Sequence, residues 1–411
     1  MTDETRSATR RQFLKTAAAA SGSVLLLGVG CADEDGVDGQ DSGVDDGSRN
    51  TRDDIDVFSS GKIGHMQLKN RLVRSATCEC LAFGGKVSDE YLNIFRALAA
   101  GGVGMIISGN TSAVESDSNP LVLQVFDDSC VDGLKTVKDT VASVDPECKL
   151  IGQIVHSGNL IAGATRTGPS DISWPGDTKP MTPLSVEEIR GVVQDFAEAA
   201  RRFKEAGWDG VEIHGAHGYL LSSFLSPYTN NRTDEYGGSV ENRVRIVREV
   251  IEETRRRVGD DFPILIKLNS SDSGDYVGVG FEGGIDKQLF LETAGLIGKM
   301  GVDAIDVSGN NWIENDVDEP EEQSFFEDAA ETLDVDVPVI LTGGNRSFSP
   351  LQEIMKKGKV DFLGIARPLV REPDLPNKWQ SGETTTAKCI SCNMCYYNII
   401  SGLRCHQEPS Q

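Results

Sequence analysis

Two imidazoles and a phenol stand close together in the run Val211-Glu-Ile-His-Gly-Ala-His-Gly-Tyr219. His214 and His217 are three residues apart in a glycine-flanked turn, a spacing that lets both rings aim N–H groups at one oxygen. Two such donors stabilise the negative charge that builds on a carbonyl oxygen as it becomes an enolate. Tyr219 follows two residues later, and an unperturbed phenol, with a pKa of about 10, is a fit proton donor to a carbanion. A His-x-x-His pair can also ligate a metal, but a mononuclear site wants further ligands. The run opens as an apolar strand over residues 209–213, so the polar chemistry falls just past a strand's carboxyl end. In parallel α/β barrels that end carries the catalytic residues.

The elements that must position this chemistry recur along the chain. Short apolar strands are predicted at 71–76, 104–108, 150–155, 210–213, 264–268, 304–307, 337–341 and 362–365. Amphipathic helical patterns lie between them, among them 185–206, 240–258, 287–300 and 350–357. Eight strands with helical crossovers predict one (β/α)8 TIM barrel with insertions. A doubly wound sheet fits less well, because no Gly-x-Gly-x-x-Gly turn follows the first strand. Lys267 interrupts the fifth strand, where a buried lysine requires an anionic partner. Thr342-Gly-Gly-Asn-Arg346 and Gly364-Ile-Ala-Arg367, at the last two strands, suit the phosphate site of such a barrel, with glycine N–H groups and guanidiniums as ligands.

The run at 211–219, its continuation Asn231-Arg-Thr-Asp-Glu-Tyr-Gly-Gly-Ser-Val-Glu-Asn-Arg243 and the late glycine turns together resemble the Old Yellow Enzyme family of flavin-dependent NAD(P)H oxidoreductases. The resemblance implies bound FMN and NAD(P)H as hydride donor, with an enone-like electrophile as substrate. It implies His214 and His217 as substrate anchors and Tyr219 as proton donor. It also implies flavin contacts from Cys78, Gly109, Gln153, Lys267, Gly343, Gly344, Arg346, Gly364 and Arg367. Relatives carry Thr or Cys at the position of Cys78 and usually Arg at that of Lys267; lysine keeps the charge but loses the bidentate fork. The 231–243 stretch reads as a loop-shaping segment.

Both ends of the chain carry separate signals. Thr9-Arg10-Arg11-Gln12-Phe13-Leu14-Lys15 matches the twin-arginine export consensus, and an apolar stretch from 16 to 29 follows, too short to span a membrane. Leu27-Gly28-Val29-Gly30-Cys31 resembles a lipoprotein cleavage box, so residues 1–31 read as a signal with Cys31 as the lipidated residue. Residues 32–55, rich in acidic side chains, Gly and Ser, read as a disordered linker. The expected division is then a barrel at 56–380 and a cysteine-rich tail at 381–411. Export implies a periplasmic or membrane-anchored protein, touching the membrane only through lipid. A net charge of −24 argues against nucleic acid as a partner.

In the tail, Cys389, Cys392, Cys395 and Cys405 cluster as Cys-x2-Cys-x2-Cys-x9-Cys, a pattern that suits a metal or iron–sulfur site. It resembles the cluster segment of 2,4-dienoyl-CoA reductase and trimethylamine dehydrogenase, with one residue fewer between the second and third cysteines. That branch implies a [4Fe-4S] cluster, amines as substrates and a redox partner protein as electron acceptor; a structural zinc site, and plain thiols or disulfides, are the alternatives for the four cysteines. A flavin-carrying electron-transfer lipoprotein without catalysis is a third reading.

Overall fold

The computed structural model describes residues 55–407 apart from 118, 159–165, 173–179, 273–282, 310–323 and 398. The expected leader and nearly all of the expected linker lie outside the described residues.

Eight parallel strands form the barrel: β1 Leu72–Arg74, β2 Met105–Ile107, β3 Lys149–Val155, β4 Gly210–Gly215, β5 Ile264–Asn269, β6 Ala304–Ser308, β7 Val339–Thr342 and β8 Phe362–Ile365. Each pairs with the next, and β8 pairs back onto β1 with Leu363 opposite Leu72, so the sheet is closed. Parallel strands covered on both faces read as apolar runs, as in Ile264-Leu-Ile and Val339-Ile-Leu.

Helices α1 Asp89–Ala100, α2 Val131–Val144, α3 Val186–Glu205, α4 Arg245–Val258, α5 Lys287–Ile297, α6 Glu327–Thr332, α7 Phe348–Lys356 and α8 Leu375–Ser381 follow the strands in order. Their starts are chemically marked. Ser185 and Glu188 form a reciprocal capping box at α3, and Ser88 and Asp286 cap α1 and α5. Such caps contribute about 1 kcal/mol each by satisfying orphan N–H groups. The predicted helix at 240–258 is divided at Val244 into Val240–Arg243 and α4. Helix α8 runs across the expected barrel–tail boundary at residue 380.

Alternate residues of the strands point into the barrel. At the amino end these are Val73, Met105, Ile107, Ile151, Leu265, Ala304, Ile340 and Phe362, all fully buried. An antiparallel hairpin, Gly61–Ile63 with Met66–Leu68, packs Ile63, Met66 and Leu68 against them. This hairpin, which no sequence pattern marked, stoppers the amino end. Two residues further along β3, β5, β6 and β7 the inward positions become Gln153, Lys267, Asp306 and Thr342. The barrel is therefore apolar below and polar above. Among the described residues, no helix is long and apolar enough to cross a membrane.

Candidate active site

At the carboxyl end of the strands a cavity of about 450 Å³ opens, within the range of small-ligand and cofactor pockets. It is lined by Ser75–Cys78 after β1, Gln153 on β3, His214, His217 and Tyr219 at the end of β4, and Lys267 on β5. Gly343, Gly344, Arg346, Gly364 and Arg367 complete the wall at β7 and β8. Residues that lie from 75 to 367 in sequence thus meet because each ends a strand or begins the loop beyond it.

The turn after β4 gathers the proposed donors. His217 and Gly218 take left-handed backbone, φ +60° and +74°, a costly state for a non-glycine residue that the surroundings must hold. Here Asn269 on β5 accepts the His217 N–H at 2.9 Å, and the Gly218 N–H donates to the Ser222 hydroxyl at 3.2 Å. Tyr219 then starts the short helix Leu220–Leu225. The His214 ring stands 5.1 Å from that of His217, nearly edge-on, and 4.6 Å from that of Tyr219. The Ala216 N–H donates to His214 Nδ1 at 3.2 Å, which assigns the ring proton to Nε2 and makes that nitrogen a donor. His217 Nε2 meets the Ser308 hydroxyl on β6 at 2.9 Å, and both rings border the same cavity.

Both imidazoles are held neutral. Burial first, then His217 and the Lys267 cation, depress the pKa of His214 well below the ordinary value. Burial, then Lys267, brings His217 down to about 3. Neutral donors can stabilise a developing oxyanion without a proton being released into the site.

Below this turn runs a buried polar row. Gln153 donates to Glu212 at 2.6 Å, Glu212 lies 3.9 Å from Lys267 Nζ, and Lys267 pairs with Asp306 while also meeting Ser75 Oγ at 3.2 Å. Burial pushes the Glu212 carboxyl up to about 8, against the pull of Lys267, so it is protonated at neutral pH. Glu212 and Asp306 were missed in the sequence. Like Lys267, each is a charge inside an apolar strand, in Val211-Glu-Ile and Ala304-Ile-Asp-Val-Ser.

The row and the glycines fit a flavin mononucleotide. A Cβ at Gly343 or Gly344 would meet the Phe326 and Phe325 rings at 2.6 and 2.9 Å, and one at Gly364 would meet Thr342 Oγ1. Both Gly343 and Gly344 also have positive φ, +138° and +75°, which only glycine adopts freely. Arg346 and Arg367 face the same volume. Lys267 and Gln153 would hold the ring, and these glycines and arginines the phosphate.

Gly109 does not line this cavity. Its N–H donates to Glu79 at 3.0 Å, and a Cβ there would strike Glu79 Oε2, Thr77 O and Cys78 Cα. Its smallness serves the approach of the 77–79 segment; Asn110 lines the cavity beside it. The 231–243 stretch is likewise outside the wall: Arg232 binds Asp234 and the carbonyls of Pro169 and Leu184, and Arg243 donates to Leu225 O.

The tail supplies a wall that the sequence did not suggest. Ser391, Asn393, Cys395, Tyr396, Ile399 and Leu403 all border the cavity. Arg367 donates to Asn393 Oδ1 and Ser391 O, and the Leu403 N–H donates to Glu79 O at 2.8 Å. Cys389, Cys392, Cys395 and Cys405 border a second void of about 20 Å³ on the far side of Arg367. Among the described residues, no three His, Cys, Asp or Glu side chains are disposed to hold a metal ion, so the tail thiols as they stand do not form a ligand set.

A closed parallel barrel whose carboxyl end carries a glycine-rich, cationic cavity beside neutral histidines and a tyrosine is a barrel built around a ligand site at its catalytic end. The chain belongs to the NADH:flavin oxidoreductase / NADH oxidase family, which its residues 56–386 match. It is 33% identical over 350 residues to a metal reductase of Desulforamulus reducens, covering 82% of this chain and 50% of that one. It is 33% identical over 326 residues to an NADPH dehydrogenase of Bacillus subtilis, covering 77% and 92%. Among solved structures it superposes on a 2-naphthoyl-CoA reductase complex with a TM-score of 0.77 at 28% identity, covering 86% of this chain and 57% of that one. A histamine dehydrogenase from Rhizobium sp. 4-9 gives 0.75 at 27%, covering 86% and 52%. The chain thus spans about half the length of several of the relatives it matches.

Proposed function

We propose that the protein is an FMN-dependent ene-reductase that takes hydride from NAD(P)H and passes it to an activated alkene. The observation that carries this reading is the meeting of His214, His217 and Tyr219 on one strained turn that faces the same cavity as Gln153 and Lys267. Bound FMN would supply the hydride. His214 Nε2–H would hold the substrate carbonyl and stabilise its developing charge. His217, buttressed by Ser308 and Asn269, would fix the turn and complete the anion-facing surface. Tyr219 would protonate the adjacent carbon.

Tyr219→Phe tests this. The variant should reoxidise with an enone about 10²–10⁴-fold more slowly, the usual contribution of a positioned acid, while NADPH still reduces its flavin at nearly the wild-type rate. Equal loss in both half-reactions would show that Tyr219 has a different task.

A second reading is amine oxidation, the activity that the name of the histamine dehydrogenase implies, with electrons leaving toward a redox partner. What favours it is that Cys395 borders both the flavin cavity and the tail void. Iron, sulfide and zinc analysis of protein purified without oxygen tests whether the thiols close on a metal. The leader supports export by the twin-arginine route and anchoring at Cys31, a proposal that membrane fractionation with and without Cys31→Ala tests.

A further inference from the structure

Cys78 and Cys80 lie on the segment that leaves β1, with their sulfurs 3.0 Å apart. That is only about 1 Å beyond a disulfide bond of about 2.05 Å. The approach is built rather than incidental. Glu79 between them is buried and anchored by Arg74 at 2.8 Å, by the Gly109 N–H and, through its carbonyl, by Leu403. With Glu79 fixed on one side, residues on either side of it project to the other. Cys80 takes left-handed backbone, φ +47°, which tightens the turn. Cys78 faces the flavin cavity, and both thiols are half-buried. Tyr396, on the same wall, is 45% exposed, so this part of the cavity is open to solvent.

We propose that Cys78 and Cys80 form a dithiol–disulfide couple, a second two-electron site at the edge of the flavin cavity, which Cys78 borders, that exchanges with low-molecular-weight disulfides. The roles divide between the two. The hydrogen bond between the two thiols lowers the pKa of Cys80 and, with burial, raises that of Cys78 well above the ordinary value. The thiolate is the attacking species in exchange; in the sequence proposed, Cys80 attacks and Cys78 resolves. Cys80 sulfur attacks one sulfur of the incoming disulfide; that S–S bond breaks and one thiol leaves with the proton from Cys80. Cys78 sulfur then attacks Cys80 sulfur, the mixed disulfide breaks, and the second thiol leaves with the proton from Cys78. Two cysteines are oxidised and one external disulfide is reduced to two thiols; a dithiol reverses the exchange.

The full chain offers a direct readout, because cleavage after Arg74 and Lys86 releases residues 75–86, which contain these two cysteines and no other. The protein, with and without FMN, is equilibrated under nitrogen in glutathione buffers of graded poise, quenched in acid, alkylated and digested. The peptide lighter by two hydrogens should rise from about a tenth to about nine-tenths of the total over roughly a hundredfold change in the ratio of squared thiol to disulfide, as a two-electron couple requires. Cys78→Ser should instead accumulate a glutathione adduct on Cys80, and Cys80→Ser should show neither closure nor adduct. A wild-type peptide that stays doubly alkylated throughout, or that stops at the adduct, overturns the proposal. Because the measurement is also made on flavin-free protein, its failure is distinct from a failure of the flavin reading.

Discussion

Lys267 on β5 and Asp306 on β6 are register partners whose side chains form an ion pair inside the barrel, both at 1% exposure or less. The Lys267 cation, which borders the cavity, is thus already shared with a carboxylate. Removing one member of a buried pair leaves the other charge uncompensated, at a cost of about 3–5 kcal/mol. Lys267→Met should lose that much in denaturant unfolding of the flavin-free protein. The double variant Lys267→Met/Asp306→Asn should recover most of it, since neighbouring substitutions are not additive. Asp306→Asn alone should raise the midpoint potential of bound flavin by tens of millivolts, where about 30 mV is 1.4 kcal/mol for two electrons.

Glu212 sets a dependence on pH with a definite sign. Burial raises its carboxyl from the ordinary range to about 8 in the folded protein. Between about pH 4.5 and 8 the folded chain keeps a proton that the unfolded chain has lost, so this group makes stability fall as pH rises. One proton corresponds to roughly 1.4 kcal/mol per pH unit across that window. His214 and His217, neutral when folded, act in the opposite sense below about pH 6.5. Subtracting Glu212→Gln from wild type isolates the carboxyl: the difference in unfolding free energy should fall with that slope from pH 5 to 8 and then level off. A flat difference would place Glu212 ionised.

Asn393 holds the tail to Arg367 at the rim of the cavity. Asn393→Ala should loosen a wall of the flavin site while leaving the barrel core intact. The expected result is several-fold weaker FMN binding and faster proteolysis within residues 388–407, with unfolding free energy changed by about 1 kcal/mol or less, because elements at a surface open independently of the global transition. Unchanged FMN affinity would remove the tail from the site.

Much of this architecture was legible as local chemistry. The eight strands announce themselves as apolar runs, and the imidazoles, phenol, lysine and glycines each stand at a strand's end, where a barrel gathers them. What escaped was pairwise or distant. Glu212 and Asp306 look like ordinary acidic residues until the register sets them beside Gln153 and Lys267. Asn393, Tyr396 and Leu403 carry no pattern that points to a cavity begun more than 300 residues earlier at Ser75. The hairpin at Gly61–Leu68 has strands of three residues, too short for a period to show.

The closing pair of the barrel, Leu72 with Leu363, has a consequence for the order of events during synthesis. Contacts that distant carry a large loop-closure cost and form late. A nascent chain stopped before β8 has every strand but the last, and nowhere to keep a flavin. The wall that Gly364 and Arg367 supply is therefore the last part of the barrel to be placed, and Asn393 and Leu403 can border the cavity only once β8 has paired with β1.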